Sequence, residues 1–571
     1  MLGELIQFHS LEELPDSPVT RGSTLWNPTG TWRSVRPVHV TRLSPCLQGC
    51  PAGNPVETFI RRLEEGDVDA ALAVIMEENP FPGICGRVCF HPCEAVCNRG
   101  ELEGAVAIHW LERWVADHGS RQPVPPRGEN GKSVAVLGSG PAGLTAAYHL
   151  RRMGYAVTVF EKERELGGLL RYGIPAYRLP KPVLDREVRH LRKMGIAFET
   201  GKQMTEADYD AGPFDAAVLA VGAQKFRNPK LVHQEGAGVW QALDFLKKVN
   251  EGGVASLSGN VLVVGGGNAA IDAARCAHRM GAEKVTVAYR RTREDMPAFD
   301  EEVEAAMEEG VTFQFQVAPQ SVKRDVGGRV IGVGFVRTKR GDRDAAGRHK
   351  VIINPHDTLT IEADMVILAT GESPGDLPWD LVIKHGESLC ETDREDVFVA
   401  GDVVGQQRTV AYAIGWGKRA AVAVDAFLQS RKVDFRKISI PGGAGISMRA
   451  YVGTYEIPSG EAVPFKEVND FYYPEVPRVK ARRLTPAQRS SDFKEVIKGL
   501  RRPQALKEAS RCFHCGDCVM CDNCLIFCPD VAITRADGRE GYDVDLDHCK
   551  GCGICARECP RGAIIMVEEN V

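Results

Sequence analysis

SVAVLGSGPAGLTAAYHLRRMGYAVTVFEK, residues 133–162, decides the fold. A short apolar run leads into a glycine turn, a helix-patterned stretch follows, and a second apolar run ends in an acid. That order is the signature of a βαβ unit in a parallel sheet. Gly138, Gly140 and Gly143 form GxGxxG directly after the first strand, with Ser139, Pro141 and Ala142 between them. Such glycines allow a tight turn and close approach of a pyrophosphate, and the helix N-terminus behind them favours negative charge. Glu161 closes the second strand 18 residues after Gly143, where an acid can hydrogen-bond a ribose.

The layout recurs at 260–291, NVLVVGGGNAAIDAARCAHRMGAEKVTVAYRR, as Gly265-x-Gly267-x-x-Ala270. Its second strand ends in Tyr289-Arg290-Arg291 rather than an acid. Two guanidinium groups suit a 2′-phosphate, so NADP(H) is favoured here over NAD(H). Further along, VFVAGDVVGQQRTVAYAIGWGKRAA (397–421) reads as a strand, then Gly401-Asp402, then a helix. It resembles the second FAD signature of two-dinucleotide-binding flavoproteins, in which an NAD(P) domain is inserted between two halves of the FAD domain. Ala369-Thr370-Gly371 resembles the segment by which such chains cross between the two domains.

Cysteine is the other informative residue. Of 18, 16 fall in two groups, at 46–97 and 512–559. In a 571-residue chain with dinucleotide motifs, bunched cysteines indicate metal binding rather than a disulfide scaffold. CxxCxxCxxxCP occurs at Cys518–Pro529 and again 31 residues later at Cys549–Pro560. In two-cluster ferredoxins the fourth cysteine of each run crosses to the other cluster. By that rule Cys518, Cys521, Cys524 and Cys559 hold one [4Fe–4S] cluster, and Cys549, Cys552, Cys555 and Cys528 hold the other. Zinc sites usually space their pairs more widely, which weighs against zinc.

A net charge of -5 leaves no basic footprint for nucleic acid. The N-terminus, MLGELIQFHSLEELPDSP, lacks the layout of a signal peptide. No apolar run reaches about 18 residues, so a cytoplasmic chain without a membrane span is expected. Cys276, Cys390, Trp110 and Trp114 read as packing residues, His109 as structural, and EEVEAAMEEG as a solvated helix face.

NPFPGICGRVCFHPCEAVC (79–97), GSGPAGL (138–144), EKERELGGLLRYGIPAYRLP (161–180), GGGNAAID (265–272) and YRR (289–291) together carry a family resemblance over about residues 40–430. The chain resembles the small subunit of bacterial glutamate synthase and its relatives. These include the N-terminal half of dihydropyrimidine dehydrogenase and the large subunit of the electron-bifurcating ferredoxin:NADP oxidoreductase. The C-terminal unit, introduced by EASRCFHCG (508–516), looks like that of iron–sulfur flavoproteins accompanying dissimilatory sulfite reductase or 2-oxoacid:acceptor oxidoreductases. The resemblance implies FAD contacts at Gly138–Ala142, at Glu161–Leu169 (with Lys162 and Gly168), at Arg178, and at Gly401–Thr409. It implies NADPH contacts at Gly266, Gly267, Asn268, Ala269, Arg290 and Arg291.

It also implies two N-terminal [4Fe–4S] clusters. Cys50, Cys89, Cys93 and Glu112 match the ligands of one, with Glu112 in place of a cysteine. The other normally uses a CxxC pair upstream of Cys46, and no cysteine precedes Cys46 here. Cys512-x2-Cys515 is left over once the ferredoxin runs are satisfied, and its context resembles the missing segment. The expectation is that this segment folds back to join Cys46 and Cys97, leaving Cys85 spare. The alternative is a single N-terminal cluster, with Cys512 and Cys515 unused.

The expected architecture is α/β: two interleaved Rossmann-like domains, a helical N-terminal iron–sulfur domain and a C-terminal α+β ferredoxin-like domain. The boundaries are an extended arm at 1–45, the helical cluster domain at 46–120, and a Pro/Gly linker at 121–132. The FAD domain takes 132–255 and 372–430, the NAD(P) domain 256–371, a linker 431–511 and the ferredoxin unit 512–571. The function expected is that of an electron-transfer oxidoreductase subunit passing electrons between NADPH, FAD and clusters, to or from a partner redox enzyme or ferredoxin. Two directions stay open, with NADPH as donor or with NADP as final acceptor, and a structural subunit with an inactive flavin site is the non-enzyme rival. A hetero-oligomer is expected, with no general acid or base, because the cofactors carry the chemistry.

Overall fold

The computed structural model describes residues 10, 13 and 27–569, apart from 123–126, 224, 255, 344–348, 376, 385, 387 and 406. Most of the N-terminal arm and the proline run of the 121–132 linker thus lie outside the described residues.

The N-terminal domain is helical. Helix α1 (Val56–Glu64) buries Val56, Phe59, Ile60 and Leu63, the i, i+3, i+4, i+7 stripe of an amphipathic helix. Helix α2 (Ile108–His118) is buried from Ile108 through Ala116, because neighbours cover it on every side.

Both glycine motifs sit where a strand turns into a helix. Ser133–Leu137 leads to α3 (Pro141–Arg152), with Pro141 in the first turn, where its fixed φ is preorganised for the helix. Asn260–Val264 leads in the same way to α4 (Asn268–Arg279). The first sheet runs in the order Val397–Val399, Ala216–Leu219, Ser133–Leu137, Ala156–Glu161, Ala197–Thr200, with every pair parallel. The second runs Thr312–Phe315, Lys284–Tyr289, Asn260–Val264, Met365–Leu368, Val239–Gln241, again parallel throughout. Parallel strands covered on both faces need near-continuous apolar runs, which is why SVAVL and NVLVV stand out in the sequence.

One boundary is corrected. Val239–Gln241 and the helix after it, Ala242–Asn250, belong to the NAD(P) sheet and core, not to an FAD segment ending at 255. The chain crosses earlier, at a two-stranded antiparallel ribbon of Lys225–Phe226 with Glu372–Ser373. The 431–511 linker packs against the N-terminal domain, where helix α6 (Arg502–Ala509) places Ala505 and Ala509 in the same core as Phe59, Leu63 and Leu111. In the arm, Val35–His39 is an extended strand paired antiparallel with Ile564–Glu568. An antiparallel layer of Val317–Arg324, Val330–Arg343 and His349–Glu362 adds to the NAD(P) domain. The ferredoxin unit has a short hairpin, Ile533–Arg535 with Tyr542–Val544, and two helical turns, Asn523–Ile526 and Ile554–Arg557.

The two halves of the FAD domain meet along α3 and α5 (Val410–Leu428). A Cβ on Gly417 of α5 would overlap the Ala142 carbonyl oxygen and come within 2.8 Å of Thr145 Cβ. Contact that close requires glycine.

Candidate functional site

The three glycines of the first motif do different work. Gly138 has φ of +107°, and a Cβ there would overlap the Ala220 carbonyl oxygen. A Cβ on Gly143 would overlap the Gly138 carbonyl oxygen. Gly140, at the N-terminus of α3, faces open space, with no atom within 4 Å of where a Cβ would stand. The first and third glycines therefore let backbone meet backbone, and the middle one leaves a cradle in front of the helix N–H groups.

Around that cradle, Glu161 is buried, and its Oε2 accepts from Ser139 N at 3.0 Å and Ser139 Oγ at 2.5 Å. The Ser139 hydroxyl in turn accepts from Gly167 N at 2.9 Å. This tie holds the Gly167–Leu169 turn beside Gly140, and Gly168, at φ +51°, lies against the Gly140 backbone. From the far half of the domain, Gly401 (φ +85°) comes so near that a Cβ would lie 2.8 Å from Ala142 Cβ. Asp402 follows it; burial raises its carboxyl to about 6, with Arg408 opposing and Glu372 adding to the rise. Thr409 caps α5 by accepting from Tyr412 N.

The second motif repeats the division of labour. Gly265 backs onto the Ala369 carbonyl, Gly266 onto the Tyr289 ring, and Gly267 faces open space. Asn268 Oδ1 accepts from Phe299 N at 3.0 Å, and Ala298 N donates to Gly266 O at 3.1 Å, so residues 298–299 border this cradle. At the end of the adjacent strand, Arg290 is exposed and Arg291 Nε donates to His349 O at 2.8 Å. Thr370 and Gly371 sit at the crossover, where Thr370 Oγ1 donates to Arg227 O at 2.6 Å and Arg227 N to Gly371 O at 3.0 Å.

Arg178 donates to Asp272 Oδ2 of α4 at 2.7 Å and lies 3.3 Å from Glu302. The arginine expected at FAD thus spans the two nucleotide domains. Its motif carried no sign of its partners, which lie about a hundred residues on.

The cysteines converge in groups. Cys518, Cys521, Cys524 and Cys559 line one pocket. Burial pushes the Cys555 thiol up to about 12, and the neighbouring Cys549, Cys552 and Cys528 add to the rise. In the N-terminal domain, burial raises the Cys89 thiol, with Glu112, Cys50 and Glu94 adding. Cys93 is raised in the same way, with Cys50 the leading charged neighbour. Burial lifts the Glu112 carboxyl to about 8, against two amide hydrogen bonds. Asn54 and Asn79 both donate to its Oε1, each at 2.9 Å. Cys85, expected as a spare, stands in this group beside Glu112, Cys89 and Cys50. A fourth group, Cys46, Cys97, Cys512 and Cys515, lines a pocket between the N-terminal domain and the segment after α6. All of these cysteines are free.

Among the described residues, the group of three or more potential ligands with all donor atoms within 4.8 Å of one another is His91, Glu94 and His109. The cysteine groups are sets of thiols, one of them with a carboxylate beside it, and a four-iron cubane takes four such ligands. The histidine group is a hydrogen-bonded set: the rings stack at 3.6 Å, and Glu94 accepts from His109 Nδ1 at 2.6 Å, His109 N at 2.9 Å and Arg478 at 2.5 Å.

Sequence reasoning missed the contacts between the cysteine loops and α5. Phe90, next to Cys89, stacks 6.2 Å from Tyr412 and 6.3 Å from Phe299. A Cβ on Gly415 of α5 would lie 2.6 Å from the Pro51 carbonyl oxygen, one residue after Cys50. The one available signal was the glycine itself, mid-helix, where glycine costs about 1 kcal/mol relative to alanine and so implies a close neighbour.

Two interleaved dinucleotide folds with open glycine cradles, joined to bunched cysteines, define an iron–sulfur flavoprotein of the two-dinucleotide-binding class. Family models match in three places: pyridine nucleotide-disulphide oxidoreductase at residues 132–425, dihydropyrimidine dehydrogenase domain II, 4Fe-4S cluster, at 38–124, and 4Fe-4S dicluster domain at 517–563. The chain is 34% identical to the NADPH-Fe(3+) oxidoreductase subunit beta of Geobacter sulfurreducens, over 83% of its own length and 75% of the relative's. It is 34% identical to the NADP(+)-dependent formate dehydrogenase subunit beta of Moorella thermoacetica, over 83% and 70%. Against the glutamate synthase [NADPH] small chain of Escherichia coli it is 34% identical, over 67% and 88%. The chain belongs to the family of these NADPH-dependent iron–sulfur flavoprotein subunits, within the pyridine nucleotide-disulphide oxidoreductases. No helix among the described residues is long and apolar enough to cross a membrane.

Proposed function

We propose that the chain is the electron-input subunit of a cytoplasmic redox system, exchanging electrons between NADPH, FAD and [4Fe–4S] clusters and a partner redox enzyme or ferredoxin. FAD, when bound, supplies the step from a two-electron hydride to single electrons. The chain's own residues bind and orient. The α3 N-terminus and the Gly140 cradle receive the FAD pyrophosphate, and Glu161 is positioned for its ribose. The α4 N-terminus and the Gly267 cradle receive NADPH, with Arg290 and Arg291 beside its 2′-phosphate. Cys50, Cys89, Cys93 and Glu112 hold a cluster against the flavin domain, and the two ferredoxin quartets hold clusters at the far end.

The observation that carries this reading is the seating of the Cys50 and Cys89 loops on α5 through Pro51 and Phe90. It supports a cluster held against the helix of the second flavin motif. The open cradles at Gly140 and Gly267 argue against a structural subunit with a degenerate flavin site. The test is an anaerobic titration with NADPH and then NADH, following the flavin band. Bleaching at stoichiometric NADPH, and weakly with NADH, is expected. A preference for NADH would sink the 2′-phosphate assignment, and no bleaching in FAD-containing protein would sink the input role.

A further inference from the structure

Residues 511–516 are locked into the N-terminal domain while staying bonded to the ferredoxin unit, where Gly516 N donates to Arg561 O and Arg561 Nη1 donates to Phe513 O, each at 2.7 Å. His514 bridges two acids of α1, with Nδ1 2.8 Å from Glu57 and Nε2 2.8 Å from Glu64. Arg511 is buried and pairs with Glu103 at 3.0 Å. The Arg99 guanidinium lies 4.8 Å over the Phe513 ring. Gly516, at φ +83°, accepts from Arg42 N at 2.8 Å, and a side chain there would overlap the Arg42 carbonyl. These contacts hold Cys512 and Cys515 on either side of His514 and turn them toward Cys46 and Cys97.

The four cysteines line one pocket whose other walls include Val56, Ile60, Val106 and Ile108. N–H groups already point at two of the sulfurs: Asn98 Nδ2 at Cys515 and His514 N at Cys512, each at 3.4 Å. Such donors favour the thiolate over the thiol. Four half-buried thiols lining one pocket, two of them supplied with donors, form a site for a multinuclear cation. An iron–sulfur cubane takes four thiolates.

We propose that Cys46, Cys97, Cys512 and Cys515 hold one [4Fe–4S] cluster, split between the two ends of the chain, and that this site is the link between the flavin-side cluster and the ferredoxin unit. Four thiols each release a proton on binding iron. Cys46 lies four residues before Cys50, across the turn Pro45–Gln48, so the split site adjoins the Cys50 site. Cys515 lies three residues before Cys518, a reach of at most about 11 Å, so it also adjoins the ferredoxin. Cys512 and Cys515 fall outside both iron–sulfur family matches. The proposal rests on the iron–sulfur reading of the chain, and its test separates the two.

The full-length Cys512→Ala/Cys515→Ala variant, prepared anaerobically, is assayed for iron, sulfide, zinc and FAD. Expected is the loss of about four of about sixteen irons with matching sulfide. FAD and NADPH bleaching of the flavin should be retained, while the ferredoxin clusters become reduced at least about tenfold more slowly. Unchanged iron, or zinc in place of the lost iron, overturns the split site and leaves the NADPH reading standing. Loss of flavin bleaching in wild type strikes that reading instead. If the variant does not fold, native mass spectrometry of wild-type protein decides: the mass of four cubanes supports the proposal and that of three overturns it.

Discussion

Gly140 and Gly267 hold matching places at the N-termini of α3 and α4, and both have room for a Cβ that the neighbouring glycines lack. Their φ values, -68° and -90°, suit any residue. Alanine at either position should therefore leave the folded chain within about 0.5 kcal/mol of wild type, as for substitutions that disturb no packing. The methyl group would instead occupy the nucleotide's space. Gly140→Ala is expected to purify with little FAD, whereas Gly267→Ala keeps FAD and needs at least about tenfold more NADPH, roughly 1.4 kcal/mol. Flavin absorbance, thermal unfolding of the cofactor-free protein and NADPH titration check all three points. Destabilisation without selective loss of binding would count against the cradles. At this scale the sequence was legible where residue type dictates geometry, as in the glycine motifs and the ferredoxin quartets. It was not legible for the Asp272 and Glu302 partners of Arg178, which are set by packing.

The helices show how one element can serve two domains. Alanine for glycine inside a helix normally adds about 1 kcal/mol of helix preference. At position 417 of α5 the new methyl would run into the Ala142 carbonyl and the Thr145 side chain of α3. Overpacking costs about 1–3 kcal/mol, so the steric term wins. Gly417→Ala is expected to lower stability in urea unfolding and to weaken FAD binding, because α3 and α5 carry its two motifs. A gain in stability would show that α5 can move away freely. The strand–turn–helix elements could be read from periodicity and glycine placement. Val239–Gln241, α6 and Val35–His39 could not, because each is too short to carry a period and is fixed by the sheet or core that it joins.

Across the whole molecule, a buried network joins the nucleotide domains. Arg178 pairs with Asp272, the Tyr177 hydroxyl donates to Asp272 at 3.2 Å, and Tyr177 lies in the NAD(P) core. Removing one member of a buried pair leaves an uncompensated charge and typically costs about 3–5 kcal/mol. Arg178→Met should therefore destabilise the protein by about that amount, and Arg178→Met/Asp272→Asn should recover part of the loss. Equilibrium urea unfolding of the two variants measures this. Equal stability of the single and double variants would mean that the pair does not couple the domains.

The sequence by itself determined the two parallel-sheet units, the nucleotide cradles and the ferredoxin quartets. In each, ligand or backbone geometry demands particular residue types at short, regular spacing. Tertiary structure alone decided where the nucleotide domains divide, and that Arg178 faces Asp272. Those outcomes depend on which apolar faces bury against each other, and a buried face is specified by its partner rather than by its own neighbours in sequence.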